Sequence, residues 1–244
     1  IEDTAIRNNG TYGLFLGSGP GGVARPIVQR NTFTANGTYP LHLELLNFPT
    51  TLSGNTYTAN GTQAIELVGG NLGTDTTLPS EGLPYDLTTT LSVNEAAVLG
   101  TRTLTLQPGV TLQFPLGTGL VVGYNTLYSG VLTAAGTASQ PVTFTSSSTT
   151  PAPGQWNGLN FRGTTPASIC DYCVIEYGGA DANNANIYIG SSMPTIRHST
   201  IRQSAGYGLS ATSSAPIVVS NNIVDNALDG LNSTSGLIAR LNWW

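Results

Sequence analysis

Two cysteines stand in the run CDYC, at Cys170 and Cys173, a spacing that serves thiol–disulfide exchange, a zinc site or a local disulfide. Zinc needs four ligands, and only His198, which falls opposite Tyr172 on the neighbouring repeat, offers a third. Redox chemistry needs a helix N-terminus to lower a thiol pKa, whereas the residues around CDYC alternate as strands do. A local disulfide in an oxidising compartment is the first reading, two unpaired thiols the second and a metal the third. The 13 acidic residues are spread along the chain. Calcium-assisted elimination would need them clustered beside an Arg or Lys, and glycoside hydrolysis would need paired Asp residues on neighbouring repeats. Asp225 and Asp229 share one repeat, and Glu176 and Arg202 occupy equivalent positions on successive repeats, which reads as a stacked surface ion pair. Asp181, in ADANNAN, reads as a loop tip. His42 and His198 have no Ser and Asp partners in view, so no catalytic residue is assigned, and neither a metal nor a cofactor is expected.

Four asparagines, Asn9, Asn36, Asn60 and Asn232, begin N-x-S/T sequons. Three of them fall at one position of a repeat, where glycans some 4.8 Å apart would collide, so a structural role in a stacked amide column is the better reading. Trp156, Trp243, Trp244 and the ten tyrosines would form a sugar-stacking strip if they faced outward; inward packing is the commoner fate.

The elements that must position these groups follow from internal repetition. NTFTANGTYPLHL at Asn31 returns as NTYTANGTQAIEL at Asn55; PTIRHSTIRQSAGYGL at Pro194 returns as PIVVSNNIVDNALDGL at Pro216; and IRNNGTYGL at Ile6 aligns with IRQSAGYGL at Ile201. Superposed, these segments give an inward ladder at Ile6, Phe33, Tyr57, Ile175, Ile201 and Ile223, with a second at Leu14, Leu41, Ile65, Leu209 and Leu231. A polar column at Asn9, Asn36, Asn60, Ser204 and Asn226 follows the first ladder, with Gly10, Gly37 and Gly61 expected to supply left-handed corners. Another precedes it at Asn31, Asn55, Cys173, Ser199 and Asn221. Repeats of roughly 22 to 27 residues are too long for tight hairpins and too poor in helical periodicity for helical repeats. The expected fold is all-β: a right-handed parallel β-helix, or β-solenoid, of about ten coils. Between Leu72 and Ser168 the repeat loosens, but the strand-like alternation continues. The expected organisation is residues 1–71 as coils closing one module, 72–86 as a loop or module junction, and 87–244 as coils of a following module stacked on the first.

Composition narrows the function classes. All eight basic residues are arginine, so Schiff-base chemistry and lysine isopeptide crosslinks are excluded. A net charge of −5 and a pI near 4.8 leave no basic run for phosphates, and no nucleic-acid partner is expected. No apolar run approaches the length of a membrane span, so no membrane insertion is expected in this segment.

The segments LTLQPGVTLQF at Leu104, GVLTAAGTASQPVTFTS at Gly130, WNGLNF at Trp156, VIEYGG at Val174 and the closing NWW at Asn242 resemble the right-handed parallel β-helix repeat proteins of the pectate-lyase-like superfamily, especially long secreted bacterial surface proteins. That resemblance implies export and a polysaccharide-rich or surface setting. It leaves the function open, because one solenoid carries lyases, hydrolases, adhesins and fibres. The expected function is a non-catalytic extracellular or cell-surface solenoid, a fibre, stalk or adhesin-like element polymerising end to end. Copies of itself or further modules of the same chain are the expected partners. The alternative is a carbohydrate-binding or carbohydrate-active β-helix with polysaccharide as its partner.

Overall fold

Each coil is made of strands only a few residues long, joined at corners by single residues with left-handed backbone. The computed structural model describes residues 1–17, 23–94, 99–163 and 168–244. Every strand pairing among the described residues is parallel, and each strand pairs with its counterpart on the next coil. The chain is a right-handed parallel β-helix.

Sheet I, the longest, holds nine strands from Leu14–Leu16 to Asn222–Val224. Sheet II holds seven, from Thr76–Leu78 to Ile238–Arg240, and sheet III seven, from Gly70–Asn71 to Leu231–Ser233. Two small sheets complete the first coils: Ala5–Arg7 with Thr32–Thr34 and Thr56–Thr58, and Ile27–Gln29 with Thr51–Ser53. Because side chains alternate across a strand, one set of residues points inward, and each member stacks on its counterpart on the next coil. On sheet I this gives the column Leu14, Leu41, Ile65, Tyr85, Leu112, Phe144, Ile175, Ile201, Ile223. From Leu41 onward every member is buried.

The ladder drawn from the sequence alignment is therefore two columns. Ile6, Phe33 and Tyr57 stack on the small three-stranded sheet, whereas Ile175, Ile201 and Ile223 continue the column begun by Leu14, Leu41 and Ile65. Likewise Leu209 and Leu231 lie on sheet III. The same sequence motif is threaded one side further round the solenoid at the C-terminal end. The shift arises between Val68 and Thr76, where the short strand Gly70–Asn71 starts sheet III. Residues 72–86, expected as a loop or junction, contain the strand Thr76–Leu78 and the start of Tyr85–Leu87, and sheet I runs through them unbroken.

Many corners share one device. A residue with positive φ is followed by Asn or Ser, whose side-chain oxygen commonly accepts the backbone N–H of the same position one coil earlier; Asp3 and Tyr172 are followed instead by Thr4 and Cys173. At one corner the left-handed residues are Asp3, Arg30, Gly54, Tyr172, His198, Ser220 and Leu241; at another they are Asn8, Ala35, Ala59, Gln203 and Asp225. The turn swings one N–H out of the ladder, and the next coil supplies its acceptor. Thus Asn31 N donates to Asn55 Oδ1 (3.0 Å), Cys173 N to Ser199 Oγ (2.9 Å), Ser199 N to Asn221 Oδ1 (3.0 Å) and Asn221 N to Asn242 Oδ1 (2.9 Å). Gly10, Gly37 and Gly61 are not the left-handed residues. Close approach fixes the identity of the last two: a Cβ on Gly37 would stand 2.2 Å from Gly10 O, and one on Gly61 2.2 Å from Gly37 O, whereas one on Gly10 would meet open space.

Candidate functional site

The outward column of sheet I gathers a row of chemistry-bearing side chains. In register it reads Phe15, His42, Glu66, Asp86, Gln113, Thr145, Glu176, Arg202. Alternation puts each beside the inward residue of its strand, and parallel stacking sets neighbours one strand spacing apart, about 4.8 Å. Glu66 and Asp86 are therefore carboxylates on successive coils. Sequence reasoning missed this pair because only 20 residues separate Ile65 from Tyr85 in the column, shorter than the repeat spacing on either side.

At the N-terminal end of the strip, Phe15 is 57% exposed and its ring stacks on His42 at 4.2 Å, while Tyr12 packs against both. His42 Nδ1 pairs with Glu66 Oε2, and the Tyr12 hydroxyl also hydrogen-bonds Glu66, which with burial raises the phenol's pKa. Tyr39 Oη donates to Asp86 Oδ2 at 2.7 Å. Burial raises the Asp86 pKa and the neighbouring Glu66 charge adds to it, while the Tyr39 hydroxyl opposes them. Burial, and then the bond to Asp86, pushes the Tyr39 phenol well up.

Further along, Glu176 Oε1 accepts from Thr145 Oγ1 at 3.0 Å and Oε2 from Arg202 Nε at 2.8 Å. The stacked ion pair expected of Glu176 and Arg202 is thus formed across one coil step, with Thr145 securing it from the other side. Asp225 and Asp229 are exposed, and Asp225 is itself a left-handed corner residue. Asp181 accepts from the N–H and the amide of Asn183, at 3.0 and 2.7 Å, within its own turn. Among the described residues, no three His, Cys, Asp or Glu side chains gather as a metal site.

Cys170 and Cys173 are buried and free, so the disulfide suggested by their spacing is not formed in this structure. Cys170 is one rung of the inner column Leu78, Leu106, Ala134, Cys170, Ile196, Val218 of sheet II. Cys173 occupies the corner column, with its Sγ toward Ala134 O at 3.6 Å. Burial and then the neighbouring Cys170 raise the Cys173 thiol pKa, which suppresses the thiolate that metal binding and exchange require. His198 is not directed at this pair. It stacks on Tyr172 at 4.9 Å, and its Nδ1 lies 2.8 Å from Asp171 Oδ1, on the outer surface.

The amide column forms as a chain of side-chain bonds. Asn9 Nδ2 donates to Asn36 Oδ1 (2.8 Å), Asn36 Nδ2 to Asn60 Oδ1 (2.9 Å), and Asn60 Nδ2 to Phe33 O (3.0 Å). Asn226 Oδ1 receives Ser204 N at 3.1 Å. Asn232 lies apart, on sheet III, with its amide toward Ser210 Oγ. Trp156 is fully buried, stacked on Phe114 at 4.6 Å, with Nε1 donating to Glu176 O at 2.7 Å. Trp243 and Trp244 are exposed on the last coil, Trp244 in register with the inward Ile223. Of the tryptophans and tyrosines considered for a sugar-stacking strip, Tyr12 groups on the surface with Phe15 and His42.

Comparison with known proteins agrees with this geometry. Residues 70–190 match the family described as pectate-lyase like beta helix domain. No curated protein and no solved structure matches the chain. Among the described residues, no helix is long and apolar enough to cross a membrane.

Proposed function

We propose that this right-handed parallel β-helix, of the pectate-lyase-like kind over residues 70–190, is a non-catalytic extracellular or cell-surface scaffold whose coils are clamped from outside by its charged side chains. One observation carries this reading: the outward carboxylates of sheet I are engaged by partners on neighbouring coils. Glu66 is taken by His42 and Tyr12, Asp86 by Tyr39, and Glu176 by Thr145 and Arg202. A general acid or nucleophile needs a carboxyl oxygen open to the scissile bond. Elsewhere the pattern repeats, with Arg30 on Glu2 and Asp3, and Arg197 on Asp171. Each exposed pair is individually weak, but together they fix the register of successive coils. The partners in this reading are further coils, whether of the same chain or of stacked copies.

A second reading rests on Phe15 and its neighbours. An exposed aromatic stack beside two carboxylates suits a carbohydrate ring, which presents C–H groups to an aromatic face and hydroxyls to acceptors.

Incubating the protein with neutral glucans, xylans and polygalacturonate, with and without calcium, while following reducing ends and absorbance from unsaturated sugars, separates the readings. The scaffold predicts no turnover. Turnover abolished by both Glu66→Gln and Asp86→Asn would overturn it, whereas retention on a polysaccharide column that Phe15→Ala removes would establish the binding strip.

A further inference from the structure

Two sheet edges face each other across a cleft where the solenoid changes its cross-section. Thr51–Ser53 pairs on one side with Ile27–Gln29 and ends the small two-stranded sheet. Thr76–Leu78 pairs with Leu104–Leu106 and begins sheet II. These strands lie on successive coils, because the sheet I strands that follow them, Ile65–Val68 and Tyr85–Leu87, pair directly. The two coils are therefore closed along sheet I and splayed on this side. Most Cα atoms of the two edge strands are more than 8 Å apart, whereas paired strands lie about 4.8 Å apart.

The cleft measures about 270 Å³ and is lined by Phe48, Pro49, Leu52, Ser53, Thr77 and Pro79 among others, none of them charged. Proline follows or precedes each edge, at Pro49 and Pro79, and lacks the N–H that could help close the gap. Phe48, itself buried, forms the floor. A parallel strand placed midway would meet an open backbone edge on both sides, since two strand spacings come to about 9.6 Å. Its alternate side chains would meet Phe48 inside and the hydroxyls of Ser53 and Thr77 outside.

We propose that this cleft accepts an extended, uncharged peptide segment of another polypeptide, inserted as one parallel strand between Thr51–Ser53 and Thr76–Leu78. Backbone pairing would supply the affinity, and the apolar floor with its uncharged rim would select an apolar residue flanked by small hydroxyl residues. Residues 49–54 of the chain itself, PTTLSG, have this pattern and already form a strand on this face.

A fluorescein-labelled copy of PTTLSG, capped at both ends, is titrated into the full chain, and amide hydrogen exchange is followed. The expected result is saturable binding with new protection of amides within residues 51–53 and 76–78. Thr77→Trp, at an exposed rim position, should weaken binding roughly tenfold or more while leaving the melting temperature unchanged. A peptide with proline in place of leucine should not bind, a control that does not depend on how the variant folds. Absence of saturable binding, equal binding of the proline peptide, or edge amides already slow to exchange without peptide would overturn the proposal.

Discussion

Asn36 takes part in three coils at once. Its Oδ1 receives the backbone N–H and the amide of Asn9, and its Nδ2 donates to Asn60 Oδ1, with Asn36 itself 1% exposed. Asn36→Ala would remove the three bonds its side chain makes between coils, and should cost roughly 2 kcal/mol in denaturant unfolding. Asn226→Ala, at a corner with fewer bonds, should cost about 1 kcal/mol. Ala59 holds φ at +51°, where a Cβ is strained by about 1 kcal/mol, so Ala59→Gly should raise the midpoint rather than lower it. Asp86 offers a pH test. A carboxyl whose folded pKa is raised keeps its proton longer in the folded chain than in the unfolded one. Its contribution is therefore fully present below the ordinary value of 3.8 and is lost as pH climbs through the raised one. In melting curves from pH 3.5 to 7, Asp86→Asn should gain on the natural protein as pH rises; a constant difference would show that the carboxyl is not perturbed.

At the scale of elements, the short strands follow from alternation, and the sequence made most of them legible. NTFTANG and NTYTANG show the inward Phe33 and Tyr57 directly, and the Asn and Ser columns after each corner could be read from type and spacing. The left-handed residues could not. Positions such as Arg30, Ala35 and Gln203 carry no type that favours positive φ; the corner imposes it, and the Asn or Ser that follows compensates. Cys170 misled for a similar reason: the second cysteine three places beyond suggested chemistry, while its place in the Leu106, Ala134, Ile196 column makes it a small apolar core residue. Trp156 joins two elements, stacking on Phe114 and bonding the carbonyl of Glu176. Trp156→Ala should cost about 3–5 kcal/mol, measured by urea unfolding, and should weaken the Thr145–Glu176–Arg202 clamp that the same strand carries.

For the whole molecule, repetition revealed the solenoid but not its phase. The alignment of Ile6 with Ile201 is sound as sequence, yet the two residues lie on different sheets, because the side formed by Ala5–Arg7, Thr32–Thr34 and Thr56–Thr58 ends as sheets II and III begin. That shift brings Glu66 beside Asp86, and it also opens the cleft between Thr51–Ser53 and Thr76–Leu78. Coil length, which varies around the turn, hid both features from residue spacing alone. The scaffold reading makes the outer charges structural, and structural and catalytic carboxylates differ in how they respond to removal. Catalytic groups are held against the stability of the fold, so neutralising them commonly stabilises it; clamps do the opposite. The decisive measurement is the unfolding free energy of Glu66→Gln and Glu176→Gln at neutral pH, each alone and combined with His42→Ala or Arg202→Ala. The scaffold predicts that both single variants are less stable and that each pair shows positive coupling. An increase in stability for either carboxamide variant, with no coupling to its partner, would contradict it.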